Sequence, residues 1–246
     1  MSTYQDVVAA YSPYAAWALV EASGTDFAPY LGAAHLTGSG SFTYQTTGPI
    51  ATSMGLGLAV GAKLATPALV SFAPPVTIET WIKLTVYPPT TTVMVWYWGN
   101  SNTNGNGVFV DTTTGNLVVY SPAATPNLIN TGVALGSGWH FIQSGNTSTA
   151  GVSQLALDGV VIWQGSQPGG TIGNPNQFFF GGHSAGGANR AIELAFPALS
   201  FSYLSADRAR IAFLGSSNPD AALAQTTVGG GDLLNLIYAA VHKTYV

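Results

Sequence analysis

The sequence predicts an all-β fold, an antiparallel jelly-roll β-sandwich with short helices near its two ends. Residues 76–86 alternate between apolar and more polar side chains with a period of two. Gly and Pro divide most of the remaining chain into short apolar runs, and helical periodicity is confined to the start of the chain and to residues beyond 205. Successive side chains of a strand point to opposite faces, so this alternation is typical of strands, and many short strands are typical of a sandwich.

The run at 76–86 is predicted to be the central strand of the fold. One face carries Val76, Ile78, Thr80, Ile82, Leu84 and Val86, and the other carries Thr77, Glu79, Trp81, Lys83 and Thr85. We expect the first set to face the core and the second to face a wetter surface, because a strand of a sandwich buries one face only.

Residues 1–13 are predicted to form an N-terminal arm. A short helix over residues 3–11 would be capped by Ser2 or Thr3 and ended by Pro13, which lacks a backbone donor. Turn residues then separate short predicted strands at 16–20, 34–37, 42–45 and 68–72.

The second half of the chain is also predicted to consist of strands. Residues 93–98 are apolar on both faces, so we expect cover on both sides by a second layer, a loop or a partner. Residues 99–107 are predicted to be a mobile loop. Further strands are predicted at 108–111, 117–120, 139–143, 155–157, 160–163, 178–180, 192–196 and 199–203, with Asp158 and Gly159 as a hairpin turn.

The C-terminal part, residues 215–246, is predicted to be a linker followed by an amphipathic helix. Before it, Ser205 can cap a helix that ends at residue 214. Residues 215–231 end in three glycines and are predicted to be the linker. The last helix has an apolar stripe of Leu233, Leu236, Ile237, Ala240 and Val241. Such a short helix is unstable alone, so we expect it to dock on its own domain or on another subunit.

The composition excludes several classes of function. The chain has 246 residues, of which only 6 are basic and 10 acidic, with a net charge of −4. The basic residues are too few and too scattered to form a surface that binds the phosphates of nucleic acid. No apolar run is long enough for membrane insertion. Mean hydropathy is nevertheless positive, at +0.28. We therefore expect the apolar excess to be buried within the fold or in a homo-oligomer.

Five segments together resemble the laminin G-like domains of the concanavalin A-like superfamily. They are YAAWALVEASG at 14–24, VTIETWIK at 76–83, GWHFI at 138–142, LALDGV at 155–160 and LSFSYLSADRARI at 199–211. The segments follow the family's order and cover residues 14–214, which we predict to be the laminin G-like domain.

The opening YQDVVAAYSPYAAWALVEASGT most resembles the version of this domain in bacteriophage minor tail and other virion proteins. The resemblance implies a non-enzymatic protein of the minor tail, tail tip or capsid surface that acts in assembly or host attachment. Its partners would be other virion subunits. It would be made in the host cytoplasm and released by lysis, consistent with an N-terminus that lacks the pattern of a secretory signal.

The sequence predicts neither a metal site nor a cofactor. Many laminin G-like domains bind calcium at two acidic places, but the corresponding positions here, residues 28–32 and 195–196, contain no carboxylate. The histidines lie far apart and lack zinc-site spacing; they are His35, His140, His183 and His242.

Two enzymatic hypotheses are disfavoured. Residues 182–186 match G-x-S-x-G around Ser184, with Asp207 or Asp220 and His242 downstream, but that motif needs a strand-to-helix elbow above a parallel sheet. A Gly-rich turn is the preferred interpretation. Glycosidases need paired carboxylates, whereas Glu79 stands alone on its strand. We predict no catalytic activity.

A carbohydrate-binding role is the alternative to the virion role and is compatible with it. Aromatic rings can stack on sugars of a host-surface glycan while amides hydrogen-bond to them. The candidate residues are Trp81, Trp96, Trp98, Asn100, Asn102 and Asn104. The competing interpretation is that the tryptophans belong to the core or an interface and that the asparagines serve a turn.

Overall fold

The chain folds into a sandwich of two antiparallel β-sheets with short helices packed on it. The computed structural model describes residues 3–68, 75–101, 104–120, 128–146, 154–165, 177–183 and 191–227. The predicted all-β, antiparallel sandwich is confirmed. None of the helices in these ranges is long and apolar enough to cross a membrane.

The elements follow one another along the chain, most of them short strands. The strands are β1 (Ala15–Trp17), β2 (Asp26–Phe27), β3 (Pro29–Leu31), β4 (Leu36–Ser39), β5 (Phe42–Thr47), β6 (Met54–Leu58), β7 (Lys63–Ala65), β8 (Val76–Leu84), β9 (Val93–Ser101), β10 (Asn104–Val110), β11 (Asn116–Tyr120), β12 (Leu128–Ala134), β13 (Trp139–Asn146), β14 (Gln154–Leu157), β15 (Val160–Gln164), β16 (Phe178–Phe180) and β17 (Ile192–Ser200). The helices are α1 (Tyr4–Ala9), α2 (Ala206–Gly215) and α3 (Pro219–Thr227).

The two sheets differ in strand order. Sheet A has the order β15-β14-β13-β8-β17-β1-β3, with β6 paired to β17 and β5 paired to β6. Sheet B has the order β12-β11-β10-β9-β16-β7-β4-β2. Strand β8 lies inside sheet A, where Glu79 is opposite Gln143 of β13 and Ala198 of β17. The strand that the alternation identified as central is therefore an interior strand.

The core between the sheets is built from large apolar side chains. Ile78 and Ile82 of β8 belong to it, together with Trp98 and Phe178 of sheet B, whose rings stack at 5.3 Å. Trp17 is also fully buried, and its indole N–H donates to the carbonyl of Ala34 at 2.8 Å. The inward set predicted for the central strand is confirmed from Val76 to Leu84, whereas Val86 is 55% exposed.

The sequence predicted that the outer face of β8 is solvent-exposed, but the structure buries most of this face. Thr77, Glu79 and Trp81 are each no more than 4% exposed. The indole N–H of Trp81 donates to the hydroxyl of Tyr4 in α1 at 3.1 Å, and its ring stacks 5.8 Å from Phe213 of α2. The helical layer therefore covers Glu79 and Trp81, whereas Lys83 is partly exposed and Thr85 is exposed, as the sequence predicted.

A buried ion pair joins that helical layer to sheet A. Arg208 of α2 and Glu79 of β8 are 2% and 3% exposed, and Nη2 lies 3.0 Å from Oε2. Gln143 donates to the other carboxylate oxygen at 2.8 Å, while Arg208 Nη1 donates to the carbonyl of Val7 at 3.3 Å. The side chain of Glu79 is thus paired, whereas the sequence left it alone, because its partner is 129 residues away in the chain.

The N-terminal helix is confirmed, and its cap is Thr3. The backbone N–H of Asp6 donates to the Thr3 hydroxyl, and the Asp6 carboxylate accepts from the Thr3 backbone, which forms a capping box. The helix is part of the packed layer, since Val7 is fully buried. The proposed division at residues 13 and 214 stays a prediction.

Several predicted elements are corrected. The loop expected at 99–107 belongs largely to β9 and β10, which pair Ser101 with Asn104. Strands β6, β7 and β12 were missed, because β7 is short and Gly within β6 and β12 is more typical of turns, and residues 192–200 are one strand. Helix α3 occupies part of the predicted linker. Residues 69–72 of one predicted strand and the whole predicted C-terminal helix lie outside the described residues.

Candidate functional site

The candidate site lies on the outer face of sheet B, and a β-bulge in β9 creates it. Trp96 pairs with Val108, but Met94 pairs with Phe109, so β9 has one extra residue at this point. Val95 and Trp96 consequently both belong to the core, and Met94 and Tyr97 are turned to the outer face. Bulges commonly re-aim side chains in this way.

Aromatic side chains from neighbouring strands surround this point. The rings of Tyr97 and Tyr120 are 6.4 Å apart, and Phe109 meets Tyr120 edge-on at 6.3 Å. His183, which follows β16, lies 6.1 Å from Tyr97. Together these residues form a pocket of about 180 Å³, and its lining is Thr92, Met94, Tyr97, Phe109, Tyr120, Leu128 and His183.

Glycines in β10 make room for the central ring of the pocket. A Cβ atom on Gly107 would lie 3.0 Å from Cδ2 of Tyr97, and one on Gly105 would lie 2.6 Å from its hydroxyl oxygen. Gly105 also has a φ of +138°, which side-chain-bearing residues rarely adopt. The Asn-Gly repeat therefore allows Tyr97 to lie across the neighbouring strand.

The pocket lining is uncharged at neutral pH. Burial raises the pKa of the Tyr97 and Tyr120 phenols, so both hydroxyls stay protonated. Burial, and then the nearby charge of Lys63, lower the pKa of His183, so its imidazole is neutral. The Lys63 ammonium donates to the carbonyl of His183 at 2.9 Å and lies 5.1 Å from the Phe179 ring centre.

This arrangement suits a small, largely apolar group of a ligand. The rings of Tyr97 and Phe109, which are 1% and 8% exposed, line the pocket mainly with carbon, together with Met94 and Leu128. The seven lining residues contain neither a pair of carboxylates nor a nucleophile next to a base. The pocket is thus equipped for binding.

The structure does not place the predicted tryptophans in a site. Trp81 is 4% exposed beneath the helical layer, and Trp96 and Trp98 are 1% and 0% exposed in the core. None of the three rings lines the pocket, so these three assignments are corrected. Asn100 and Asn104 belong to β9 and β10, and Asn102 lies outside the described residues.

Sequence reasoning missed Tyr97, Phe109 and Tyr120. The run Trp96, Tyr97, Trp98 is aromatic at every position, so alternation alone does not identify which ring faces outward. The one available signal was the repeated glycine at 105 and 107, since Gly within a strand often marks a bulge or a close approach.

The other sequence motifs give no second site within the described residues. Ser184 and His242 of the G-x-S-x-G hypothesis, and the docking residues Leu233, Leu236, Ile237 and Val241, lie outside those residues. Gly182 and His183 follow a strand of an antiparallel sheet, which is not the context of a nucleophile elbow. No group of three or more His, Asp or Glu residues is placed to hold a metal in the part of the chain that the structure describes.

Comparisons with known proteins find similarity of fold only. No protein-family model matches the sequence, and no curated protein matches it. Among solved structures, the binding domain of botulinum neurotoxin serotype D superposes with a TM-score of 0.58 at 11% identity, covering 84% of this chain and 51% of that one.

Two further neurotoxin structures are similar to the same extent. One concerns botulinum neurotoxin type C, whose cell entry depends on interaction with two ganglioside molecules; its TM-score is 0.63 at 12% identity, with 84% of this chain and 52% of that one covered. The other is the binding domain of botulinum neurotoxin DC in complex with rat synaptotagmin II. Its TM-score is 0.61 at 11% identity, with 84% of this chain and 52% of that one covered. This chain therefore spans about half the length of binding domains that share its β-sandwich fold.

Proposed function

We propose that this protein is a non-catalytic binding module that recognises carbohydrate through the pocket on the outer face of sheet B. The observation that carries the proposal is the pocket of about 180 Å³, whose wall is formed by the largely buried rings of Tyr97 and Phe109, which are 1% and 8% exposed, and by the half-buried ring of Tyr120. Sugars present C–H groups that pack on aromatic and aliphatic side chains, and a pocket of this kind binds such a group while the hydroxyls of the sugar stay in water.

The structural neighbours support this proposal by analogy of fold. One of them depends on gangliosides, which are glycolipids, for cell entry, and another was solved with a protein bound. A shared fold does not carry a shared site, so the neighbours support surface recognition in general and not particular residues. The binding residues are proposed from the pocket alone.

A matched pair of tyrosine variants tests the proposal. Tyr120→Ala removes a half-buried ring from the pocket, and we expect at least a tenfold loss of affinity for any glycan found on an array, since stacked rings contribute about 0.5–1.5 kcal/mol beyond the area they bury. Tyr14→Ala is the control, because Tyr14 is 38% exposed and stacks on Phe201 at the edge of sheet A. Equal loss in both variants, or no glycan bound by the natural protein, would exclude the pocket as a sugar site.

A more specific role in a bacteriophage particle is a second proposal, and it rests on the sequence. The N-terminal resemblance to virion proteins and the 7% content of charged residues favour a module that contacts other virion subunits, forms a homo-oligomer and presents its pocket to the host surface. Mass measurement of the purified protein and analysis of purified particles test this role. A monomer that is absent from particles would exclude it.

A further inference from the structure

We infer that the pocket selects a single terminal, uncharged sugar ring that carries a methyl group, as in a 6-deoxyhexose or an N-acetylhexosamine, and that the methyl group enters the pocket. This inference rests on the proposed carbohydrate-binding function and names the class of sugar. Three properties of the pocket carry it: its size, the carbon-rich character of its walls and its charge.

The pocket is open to solvent on one side, and its volume fits one ring or a substituent of one ring. Its volume is about 180 Å³. An apolar protein cavity of about 150 Å³ accommodates a molecule the size of benzene. The pocket thus accepts a ring edge with one small substituent, and the rest of an oligosaccharide must lie outside.

The character of the walls selects what enters. The walls are mostly carbon, from the thioether of Met94, the rings of Tyr97 and Phe109 and the side chain of Leu128. A sugar hydroxyl that is buried against such walls without a partner costs about 1–3 kcal/mol. A methyl group buried there is instead stabilised by about 0.8 kcal/mol, so the apolar substituent is the part of the sugar that fits.

The charges around the pocket argue against ionic ligands. An aromatic pocket can attract a quaternary ammonium group, but here the Lys63 ammonium already donates to the His183 carbonyl at 2.9 Å, and its positive charge next to the pocket disfavours a second cation. The same ammonium lies 5.1 Å from the centre of the Phe179 ring. The seven described lining residues include no charged side chain, which favours an uncharged ligand.

Matched sugars test the inference with the full chain. The probes are the free monosaccharides, which carry no aglycone methyl group: N-acetylglucosamine against glucose, N-acetylgalactosamine against galactose, and L-fucose against L-galactose. Each pair differs at one position of the ring, and titration calorimetry or ligand-observed NMR gives both affinities. We expect the member with the methyl group to bind at least about fourfold more tightly in at least one pair. This factor corresponds to the free energy gained when one methyl group is buried, about 0.8 kcal/mol.

A wall variant shows whether that preference arises in this pocket. Leu128 is 46% exposed at the pocket, so Leu128→Asn replaces an apolar wall with an amide at little risk to folding. We expect it to lower the preference within the pair to less than twofold. Val160→Asn is the matched control, because Val160 is 65% exposed on β15 of sheet A, and it should leave the preference unchanged.

The possible outcomes separate this inference from the proposed function. Equal affinities within every pair, or tighter binding of the hydroxylated members, would overturn the methyl assignment and leave the carbohydrate-binding function in place. If an acidic sugar or choline bound more tightly than the uncharged methyl-bearing sugars, the inference that the ligand is uncharged would be overturned. Binding of no sugar would overturn both. A preference that survives in Leu128→Asn would place the methyl group elsewhere.

Discussion

At the scale of single residues, burial and pairing decide what a side chain can do. Glu79 and Arg208 illustrate this, because each would be very costly to bury alone and together they hold α2 on sheet A. Gln143 also donates to the carboxylate, and Arg208 lies 3.8 Å over the Tyr11 ring. The pair therefore connects the N-terminal arm, helix α2 and the central strand.

Arg208→Met is expected to destabilise the protein by about 3–5 kcal/mol, because it leaves the Glu79 carboxylate buried without its cation. Urea unfolding at pH 7 measures the change. The double variant Arg208→Met/Glu79→Leu should recover a large part of the loss, since no unpaired charge remains. Arg210→Met is the control: Arg210 lies 3.9 Å from Asp207 at the surface, and its loss should cost less than about 1 kcal/mol. Similar losses for the two arginines would contradict the role of the buried pair.

At the scale of elements, short polar contacts define where strands and turns meet. The hairpin between β14 and β15 is the turn that the sequence predicted at Asp158 and Gly159, and Asp158 has a φ of +49° there. The Asp158 carboxylate accepts from the backbone of Phe141 at 2.8 Å and lies 2.8 Å from Nδ1 of His140. The histidine thus ties the hairpin to the start of β13.

This contact makes stability depend on pH. The hydrogen bond to Asp158 raises the pKa of His140 above its ordinary value of 6.5. Because the folded pKa is the higher one, the stabilisation is complete below pH 6.5 and is lost as the pH rises through the raised value. At pH 6 we expect the free energy of unfolding of the natural protein to exceed that of the His140→Gln variant. At pH 9 the two free energies of unfolding should be nearly equal. A difference that does not change with pH would contradict the assignment. Lowering of the His183 pKa acts in the opposite direction, so the comparison with the variant is essential.

At the scale of the whole molecule, the outer faces of the two sheets differ. Helices α1 and α2 cover the centre of sheet A, where Tyr4 contacts Trp81. The outer face of sheet B instead has the aromatic pocket around Tyr97. We infer that the covered face stabilises the fold and that the pocket face binds the ligand.

Reciprocal tyrosine variants separate these two roles. Tyr4→Ala removes a ring that is 5% exposed beneath the N-terminal arm, so we expect about 3–5 kcal/mol of destabilisation with unchanged glycan affinity for the folded protein. Tyr120→Ala should lower glycan affinity and destabilise the fold less. Thermal unfolding and glycan titration on both variants make the comparison. Loss of glycan binding in Tyr4→Ala at temperatures where it is folded would contradict the separation.

The sequence by itself determined the antiparallel sandwich, its central strand, the capped first helix and the Asp158 turn. All of these depend on local alternation or on turn and cap residues, which act over a few positions in the chain. The fold class could therefore be predicted without any contact between distant residues. Strands such as β6 and β12 could not be predicted in this way, because Gly55, Gly57 and Gly132 within them are more typical of turns.

Only the tertiary structure decided which aromatic rings face outward and what covers each sheet. One bulge in β9 turns Tyr97 out and Trp96 in, and it arises from pairing with β10, which alternation along a single strand does not record. The cover over Trp81 and the partner of Glu79 come from α1 and α2, at opposite ends of the described chain. Exposure of a side chain is a property of all its neighbours, and most of those neighbours are distant in sequence.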